Sequence, residues 1–144
     1  MSYSVDVNVL IYSSDESSPL HKTAANFLKA CVSGGDVFCL AYLTLMSYQR
    51  ITTHPGVFAD PLTPQEALEN VETLARLPNV RLISEQEGFL DIYREITGKF
   101  PVRGNLVPDA HLAALLRQEG VRTLYTNDPD FRRFDFLRTE NPFS

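Results

Sequence analysis

The chain of 144 residues contains no tryptophan and only two cysteines. Cys31 and Cys39 lack Cys-x-x-Cys spacing, so we expect them to be buried free thiols of a protein from a reducing compartment. His21, His54 and His111 also lack metal-ligand spacing, which favours structural or surface roles. No apolar run approaches the roughly 20 residues of a membrane span, and no basic segment followed by an apolar core indicates a signal peptide. The expected location is the cytoplasm, without a membrane partner.

The charge balance excludes a protein that binds nucleic acid through an overall positive charge. The chain has 13 Lys and Arg against 18 Asp and Glu, which gives a net charge of −5. Any contact with nucleic acid must therefore come from a local basic patch or through a metal ion. A Gly-rich phosphate-binding loop is also missing. The length, with 44% apolar and 22% charged residues, predicts one globular domain over residues 1–144.

Apolar periodicity predicts strands that alternate with helices along the whole chain. The β-branched run from Ser4 to Tyr12 is typical of a buried strand. Alternation of this kind predicts βαβ units, and hence an α/β fold with a mainly parallel sheet covered on both faces. The predicted strands are 4–12, 37–40, 80–83, 121–126 and 136–138, and the predicted helices are 21–33, 43–53, 64–77, 84–97 and 108–119.

Two segments carry the Ser/Thr-x-x-Glu pattern of a helix capping box. Thr63 to Glu66 has the pattern with a proline at the first helical position, and Ser84 to Glu87 repeats it. We expect a helix to begin at each of them.

Acidic residues lie at three places that a parallel sheet would bring together. Asp6 lies inside the first predicted strand, where a buried carboxylate is costly without a partner. Asp109 opens a predicted helix, and Asp128 and Asp130 follow a predicted strand. Because strand ends in parallel sheets form ligand sites, we expect these acids to share a pocket. A divalent cation would relieve their mutual repulsion and could polarise a phosphodiester.

Each acid also has an ordinary structural interpretation. Asp109 alone is compatible with a helix N-cap, and Asp128-Pro129-Asp130 alone is a common turn composition. Cap or turn chemistry does not explain Asp6 within a strand. The hypothesis of a shared site therefore depends on Asp6 and Asp109 lying within reach of one cation.

The chain contains the segments VDVNVLIY, RITTHPGVF, NLVPDAHLAALL and TLYTNDPDFRRF in this order. Their order and spacing resemble the PIN-domain family, in particular the VapC-like toxins of bacterial toxin–antitoxin pairs, over nearly the whole chain. The resemblance implies a single PIN-like α/β domain, with about five mainly parallel strands between two layers of helices. It implies an endoribonuclease that depends on Mg²⁺ or Mn²⁺ and cuts transfer or ribosomal RNA. It also implies a homodimer that a cognate antitoxin holds inactive.

The resemblance implies roles for individual residues as well. Asp6 matches the first acidic ligand of the family, Asp109 the acid of its Pro-Asp-Ala motif, and Asp128 its later acidic or Asn position. Small polar residues at two further positions orient these acids. The implied metal ligands are Asp6, Asp109, Asp128 and Asp130, the implied catalytic residues are the first three of these, and the implied orienting residues are Asn8 and Thr126.

One position departs from the wider family pattern. Many members carry a Glu on the second helix, three residues before the arginine that matches Arg50, whereas this chain has Ser47. A serine hydroxyl can hold a water near a metal but adds no charge, so the number of metal ions stays open. Arg50 is compatible with an RNA phosphate contact and equally with a plain surface arginine. Arg132 and Arg133 are expected on a solvated face.

Three functions remain in competition. The leading one is a metal-dependent endoribonuclease toxin, in which Asp6 and Asp109 hold one Mg²⁺, Asp128 or Asp130 assists, and an activated water attacks the phosphodiester in line. The alternative is a catalytically weakened PIN module that binds RNA or a partner protein without cleavage, motivated by the serine in place of Glu. The third, a receiver-type phosphoacceptor domain, requires a lysine after a late strand, where this chain has Asn127.

Overall fold

Five short strands form one sheet in the computed structural model, which describes residues 1–144. The strands are β1 (Ser2–Val5), β2 (Val37–Ala41), β3 (Val80–Ile83), β4 (Thr123–Tyr125) and β5 (Arg138–Glu140). Their order across the sheet is β3-β2-β1-β4-β5, and every neighbouring pair is parallel. Ser4 on the central strand lies opposite Cys39 of β2 and Leu124 of β4. The predicted parallel α/β fold is confirmed.

Six α-helices and one short 3₁₀-helix connect the strands. The helices are α1 (Val7–Ser14), α2 (His21–Ser33), α3 (Tyr42–Thr52), α4 (Pro64–Ala75), α5 (Phe89–Thr97) and α6 (Leu106–Gln118), and the 3₁₀-helix is Pro129–Arg133. Helix α2 has the predicted bounds, and α3, α4 and α6 differ from theirs by one or two residues at either end. None of the helices has the length and apolar character that crossing a lipid bilayer requires.

The sheet is buried on both faces, as the alternation along β2 shows. Phe38 and Leu40 belong to a core of 12 buried residues with side chains of α1, α2, α3 and α4. Cys39 and Ala41 belong to a second core of 15 buried residues with side chains of α5 and α6. Layers of helices therefore cover the sheet from two sides, and both cysteines are buried free thiols as predicted.

The prediction of a strand over residues 4–12 is wrong beyond its beginning. The strand ends at Val5, and Asp6 caps the helix that follows. The backbone of Asp6 is extended, and its Oδ1 accepts a hydrogen bond from the N–H of Val7 over 2.7 Å. The β-branched residues favour a strand locally, but α1 buries Val9, Leu10 and Ile11 in the core with α2 and α3. Tertiary packing thus overrides local propensity.

One of the two predicted capping boxes exists. The Thr63 hydroxyl accepts from the N–H of Glu66 over 3.1 Å, and the Glu66 carboxylate accepts from the N–H of Thr63 over 3.0 Å. The box predicted at Ser84 is wrong, because α5 begins only at Phe89. The Glu85 carboxylate contacts the imidazole of His111 on α6, so a contact between elements replaces the local cap.

The last predicted strand is displaced by two residues. Phe136 and Leu137 pack against the second core, and sheet pairing begins at Arg138, whose N–H donates to the carbonyl of Arg122 over 2.7 Å. Strand β5 is the outermost strand on its side of the sheet. It carries Thr139 and Glu140 to the edge of the sheet where the carboxyl end of β4 lies.

Candidate functional site

The carboxyl ends of β1 and β4 are neighbours, and a polar residue follows each strand. The Thr126 hydroxyl donates to Oδ2 of Asp6 over 2.9 Å and accepts from the N–H of Asp128 over 3.0 Å. The N–H of Asp6 donates to the carbonyl of Tyr125 over 3.0 Å. Asp6 and Thr126 are only 7% and 4% exposed. One buried hydroxyl therefore connects the first acid to the loop that carries the later ones, and the orienting role of Thr126 in a functional site stays a prediction.

Three carboxylates converge beside this connection. One oxygen of each of Asp109, Asp128 and Asp130 lies within 4.8 Å of the other two. Asp109 is in the first turn of α6, which begins three residues earlier, so Asp109 is not the helix cap. Asp128 caps the 3₁₀-helix, and its Oδ1 accepts from the N–H of Asp130 over 2.9 Å. The structure thus brings together three of the four acids expected to form the site.

Asp6 borders this group of three carboxylates and is not part of it at that spacing. Its charge still acts on the group, because it contributes to the raised pKa of Asp109, and Asp128 contributes to the raised pKa of Asp6. Both oxygens of Asp6 accept one hydrogen bond each, and each retains a second lone pair for another ligand. That Asp6 and Asp109 share a cation stays a prediction.

The carboxylates carry a negative charge that no basic side chain offsets. Burial raises the pKa of Asp109 to about 7, with the charges of Asp128, Asp6 and Asp130 adding to the effect. Burial also raises the pKa of Asp6, although the hydrogen bonds from Thr126 and Val7 oppose this. None of the four carboxylates forms an ion pair with Lys, Arg or His. An oxygen-only donor set with excess negative charge fits a hard divalent cation.

The remaining predicted site residues form no hydrogen bond or ion pair with the acids. Asn8 is half-buried in the first turn of α1, Ser47 is half-buried on α3, and Arg50 is exposed one turn further along α3. Their side chains form neither hydrogen bonds nor ion pairs with the four aspartates. Helix α3 follows β2 directly, so its first turns lie at the sheet edge that carries the acids. The roles of Asn8, Ser47 and Arg50 stay predictions.

A polar cavity of about 230 Å³ adjoins the acids, and sequence reasoning missed it. Arg132, which was expected on a solvated face, lines this cavity together with Asp128. Thr139 and Asn141 reach it from β5 and the segment after β5. The one signal in the sequence is the position of Arg132, four residues after Asp128 in a short helix.

Larger cavities lie away from the acids. A groove of about 530 Å³ is lined by residues of α1, α2, α3 and α4, among them Leu10, Leu28 and Leu74. A polar cavity of about 550 Å³ lies at the opposite edge of the sheet, beside Arg117 and Arg122. The acids therefore lie at an open edge instead of in the largest cavity, which suits a polymer substrate better than a small enclosed ligand.

Comparisons with known proteins agree with this geometry. The family model of the PIN domain matches residues 3–137. The chain belongs to the PIN-domain family. Ribonuclease VapC48 of Mycobacterium tuberculosis is 39% identical to this PIN domain over 144 residues, which cover 100% of this chain and 99% of the relative. Ribonuclease VapC37 of the same organism is 32% identical over 138 residues, which cover 96% and 95%. PIN fold and VapC relatives together support a ribonuclease toxin.

Solved structures share the fold of this PIN domain. VapBC2 from Rickettsia felis, bound to a DNA fragment from its promoter, superposes with a TM-score of 0.70 at 17% identity and covers 98% of each chain. VapC20 of M. tuberculosis, a toxin that cleaves the sarcin-ricin loop, has a TM-score of 0.66 at 17% identity, with 90% and 92% covered. A toxin–antitoxin complex from Klebsiella pneumoniae has a TM-score of 0.60 at 17% identity, with 98% of each chain covered. At these identities the likeness shows the fold.

Proposed function

We propose that this PIN domain is a metal-dependent endoribonuclease toxin that hydrolyses phosphodiester bonds of transfer or ribosomal RNA in the cytoplasm. The observation that carries the proposal is the convergence of Asp109, Asp128 and Asp130, whose oxygens lie within 4.8 Å of one another without a basic partner. Such a group is unfavourable unless a cation compensates it. The VapC ribonucleases that match the chain over its whole length identify RNA as the substrate class.

Asp109, Asp128 and Asp130 would hold a divalent cation, Mg²⁺ or Mn²⁺, and Asp6 would contribute from the end of the neighbouring strand. All of these donors are carboxylate oxygens, which both cations accept. When bound, such an ion polarises a phosphodiester and lowers the pKa of a water molecule.

The protein's own residues hold this arrangement in place. The Thr126 hydroxyl keeps Oδ2 of Asp6 oriented, and the N–H of Asp130 does the same for Oδ1 of Asp128. Burial, together with the charges of the neighbouring acids, raises the pKa of Asp109 to about 7, so part of the protein carries a proton on Asp109 near neutral pH. Asp109, Asp128 and Asp130 would release such a proton on holding a divalent ion. Arg50, exposed in the last turn of α3, is proposed to pair with an RNA phosphate.

The test is cleavage of total RNA by the purified protein with Mg²⁺ or Mn²⁺, with and without a chelator. We expect the chelator, Asp109→Asn and Asp6→Ala each to reduce cleavage by about 100-fold or more, since each removes part of the charge stabilisation in the transition state. Asp135→Asn is the matched control, because Asp135 is exposed and pairs with Lys99 beside the cavity at the opposite edge of the sheet.

The outcomes separate the competing functions. Cleavage that survives both the chelator and Asp109→Asn would contradict the proposed site. RNA binding by the parent protein without any cleavage would favour the non-cleaving PIN module, the alternative that Ser47 motivates. Sequencing the RNA ends produced by the active protein would identify which RNA is cut.

We also propose a cognate antitoxin partner that inserts a basic side chain among the acids. The K. pneumoniae structure of the same fold is a toxin–antitoxin complex, and the acids offer an uncompensated negative site. A basic side chain and a divalent ion would then compete for the same carboxylates. Titration of a basic partner peptide at increasing Mg²⁺ concentrations tests this, and binding that is independent of Mg²⁺ would count against it.

A homodimer is proposed from apolar side chains at the edge of the sheet where the acids lie. Tyr42 and Met46 on α3, Leu90 on α5 and Val107 on α6 are exposed, Leu90 by 77%. Tyr42 and Met46 lie in the first two turns of α3, directly after the end of β2, and Val107 lies two residues before Asp109. Leu90 lies in the first turn of α5. Light scattering should show a dimer for the parent and a monomer for Leu90→Asp. Leu68→Asp, at an exposed position of α4, is the control and should stay dimeric.

A further inference from the structure

Most of the residues that line the polar cavity beside the acids carry side chains that can form hydrogen bonds. It has a volume of about 230 Å³ and lies between the end of β4, the 3₁₀-helix and the segment that follows β5. The side chains that line it, apart from Pro129, are those of Thr126, Asn127, Asp128, Arg132, Thr139 and Asn141. Asp128 belongs both to this cavity and to the group of three carboxylates. A ligand in the cavity therefore lies directly next to the candidate metal site.

Several hydrogen-bond donors of the cavity have no partner within the chain. Arg132 is exposed and forms no ion pair or side-chain hydrogen bond. The side chains of Asn127 and Thr139 likewise make no hydrogen bond. Asn141 uses its Oδ1 to accept from the N–H of Phe143 over 2.8 Å, which leaves its amide N–H groups free. The cavity thus combines free hydrogen-bond donors with the carboxylate-bearing residue Asp128.

The arginines near the 3₁₀-helix differ from Arg132 in this respect. Arg133 lies with its guanidinium over the ring of Phe100, 5.9 Å from the ring centre. Arg138 pairs with Glu140 over 2.9 Å. Arg133 and Arg138 each have a role within the fold, whereas Arg132, which precedes both in sequence, has no partner.

We propose that this cavity binds the ribose-phosphate of the nucleotide next to the scissile bond, with Arg132 paired to its phosphate. This inference rests on the proposed nuclease function and adds a substrate subsite to it. A guanidinium matches phosphate oxygens with two parallel hydrogen bonds, and Asn127, Thr139 and Asn141 offer further donors for the ribose or the phosphate. The cavity is smaller than the roughly 300 Å³ of small-molecule pockets, which suits one unit of a polymer.

The charge of the chain gives Arg132 a specific task. With a net charge of −5 and four carboxylates at the site, RNA is repelled unless a local cation offsets the repulsion. Arg132 contacts the flanking nucleotide and not the reacting atoms, so it is a positioning residue. Loss of Arg132 should weaken the binding of the RNA substrate and of the transition state by the same amount. It should therefore raise KM while kcat stays nearly unchanged.

The experiment compares Arg132→Gln with Arg122→Gln. Arg122 is also exposed and free of ion pairs, but it lies at the opposite edge of the sheet, so both variants remove one charge and only one touches the cavity. The first readout is the fluorescence anisotropy of a labelled single-stranded RNA oligonucleotide in EDTA, where the candidate metal site has no cation. The second is KM and kcat for RNA cleavage with Mg²⁺.

We expect Arg132→Gln to weaken RNA binding and to raise KM by roughly ten-fold, as for the loss of a charged hydrogen bond. Arg122→Gln should change RNA affinity and KM by less than about two-fold. Arg132→Lys should recover part of the loss, because it keeps the charge. In a plot of log RNA affinity against log salt concentration, the slope for Arg132→Gln should be shallower than that of the parent by about 0.7. This is the value for one phosphate contact on a single strand.

Failure of this inference and failure of the nuclease proposal give different results. A parent protein that cuts RNA, with Arg132→Gln and Arg122→Gln indistinguishable, overturns the subsite alone. Binding in EDTA that depends on Arg132, from a parent that cuts no RNA, supports the subsite and overturns the nuclease. A parent that neither binds nor cuts RNA overturns both.

Discussion

The hydroxyl of Thr126 donates to Oδ2 of Asp6 over 2.9 Å and joins two residues that are 120 positions apart in the sequence. The same hydroxyl accepts from the N–H of Asp128 over 3.0 Å. A single buried oxygen therefore sets the relative position of the end of β1 and the loop that bears the later acids.

Thr126→Val removes this hydroxyl and keeps the shape of the side chain. The change leaves Asp6 without one donor and the N–H of Asp128 without its acceptor, so we expect the free energy of unfolding to fall by about 1–3 kcal/mol. The pKa of Asp6 should rise further, because the hydrogen bond from Thr126 lowers it in the parent. Urea unfolding and a carboxyl titration by NMR measure the two effects.

Thr126→Ser is the control for this change, since it retains the hydroxyl. Ribonuclease activity should fall by about ten-fold or more in Thr126→Val and by much less in Thr126→Ser. Equal activity and equal stability of the two variants would show that the hydroxyl does not position Asp6.

Asp109→Asn should stabilise the protein in the absence of divalent ions, and increasingly so as the pH rises. The pKa of Asp109 is raised from its usual value of 3.8 to about 7 in the folded protein. The stability that goes with the protonated acid is therefore fully present below pH 3.8 and is lost as the pH rises through about 7. Asn does not titrate, so the advantage of the variant over the parent should grow between these limits. Unfolding in urea and EDTA across this range measures it.

Asp135→Asn is the control with the opposite sign. Lys99 lowers the pKa of Asp135, so the pairing contributes stability above the usual pKa of an Asp and loses it as the pH falls. This variant should be slightly less stable than the parent at neutral pH and equal to it in acid. The same pH trend in both variants would mean that burial and the neighbouring acids do not raise the pKa of Asp109 in the folded protein.

Mg²⁺ or Mn²⁺ should raise the thermal unfolding temperature of the parent. A ligand that binds only the folded state adds about 2.7 kcal/mol at a concentration of 100 times its Kd. The shift should disappear in Asp109→Asn and Asp128→Asn, which each remove one oxygen donor with its charge, and persist in Asp135→Asn. Thermal scans at increasing ion concentration provide the measurement, and a shift of equal size in all four proteins would indicate binding elsewhere.

Thr63→Ala should destabilise the protein without loss of activity. The hydroxyl of Thr63 caps α4 through the N–H of Glu66, and the loss of such a cap costs about 1 kcal/mol. Its stability cost is thus comparable with that of Thr126→Val, but its activity should match the parent. If Thr63→Ala lost as much activity as Thr126→Val, stability and not site geometry would explain both.

Much of the fold could be predicted because periodicity and turn residues agreed with each other. Helix α2 ends at Ser33 as predicted, and α4 begins at the predicted capping box. The prediction of the first strand was wrong because its β-branched residues form α1. The aspartate before them, which caps this helix, was the signal in the sequence for a helix. The prediction of a capping box at Ser84 was wrong because Glu85 contacts His111 on α6 instead. The local sequence does not encode this contact.

The acids could be predicted because strand ends meet at one edge of a parallel sheet, and the resemblance to the PIN family singled out Thr126. The cavity beside the acids could not be predicted, because it depends on how β5 pairs with β4 and on where the segment after β5 runs. Arg132 was expected on a solvated face, since nothing near it in sequence shows that it lines a cavity together with Asn141.

The pairing of β1 with β4 has a consequence for biosynthesis. Asp6 is made among the first residues, but Asp109, Asp128 and Thr126 follow only in the last third of the chain, and β1 cannot pair with β4 before they emerge. A nascent polypeptide on the ribosome therefore has no complete site. If the protein cuts RNA as proposed, the translation machinery that produces it is exposed to the activity only after the segments that carry all of these residues have been made.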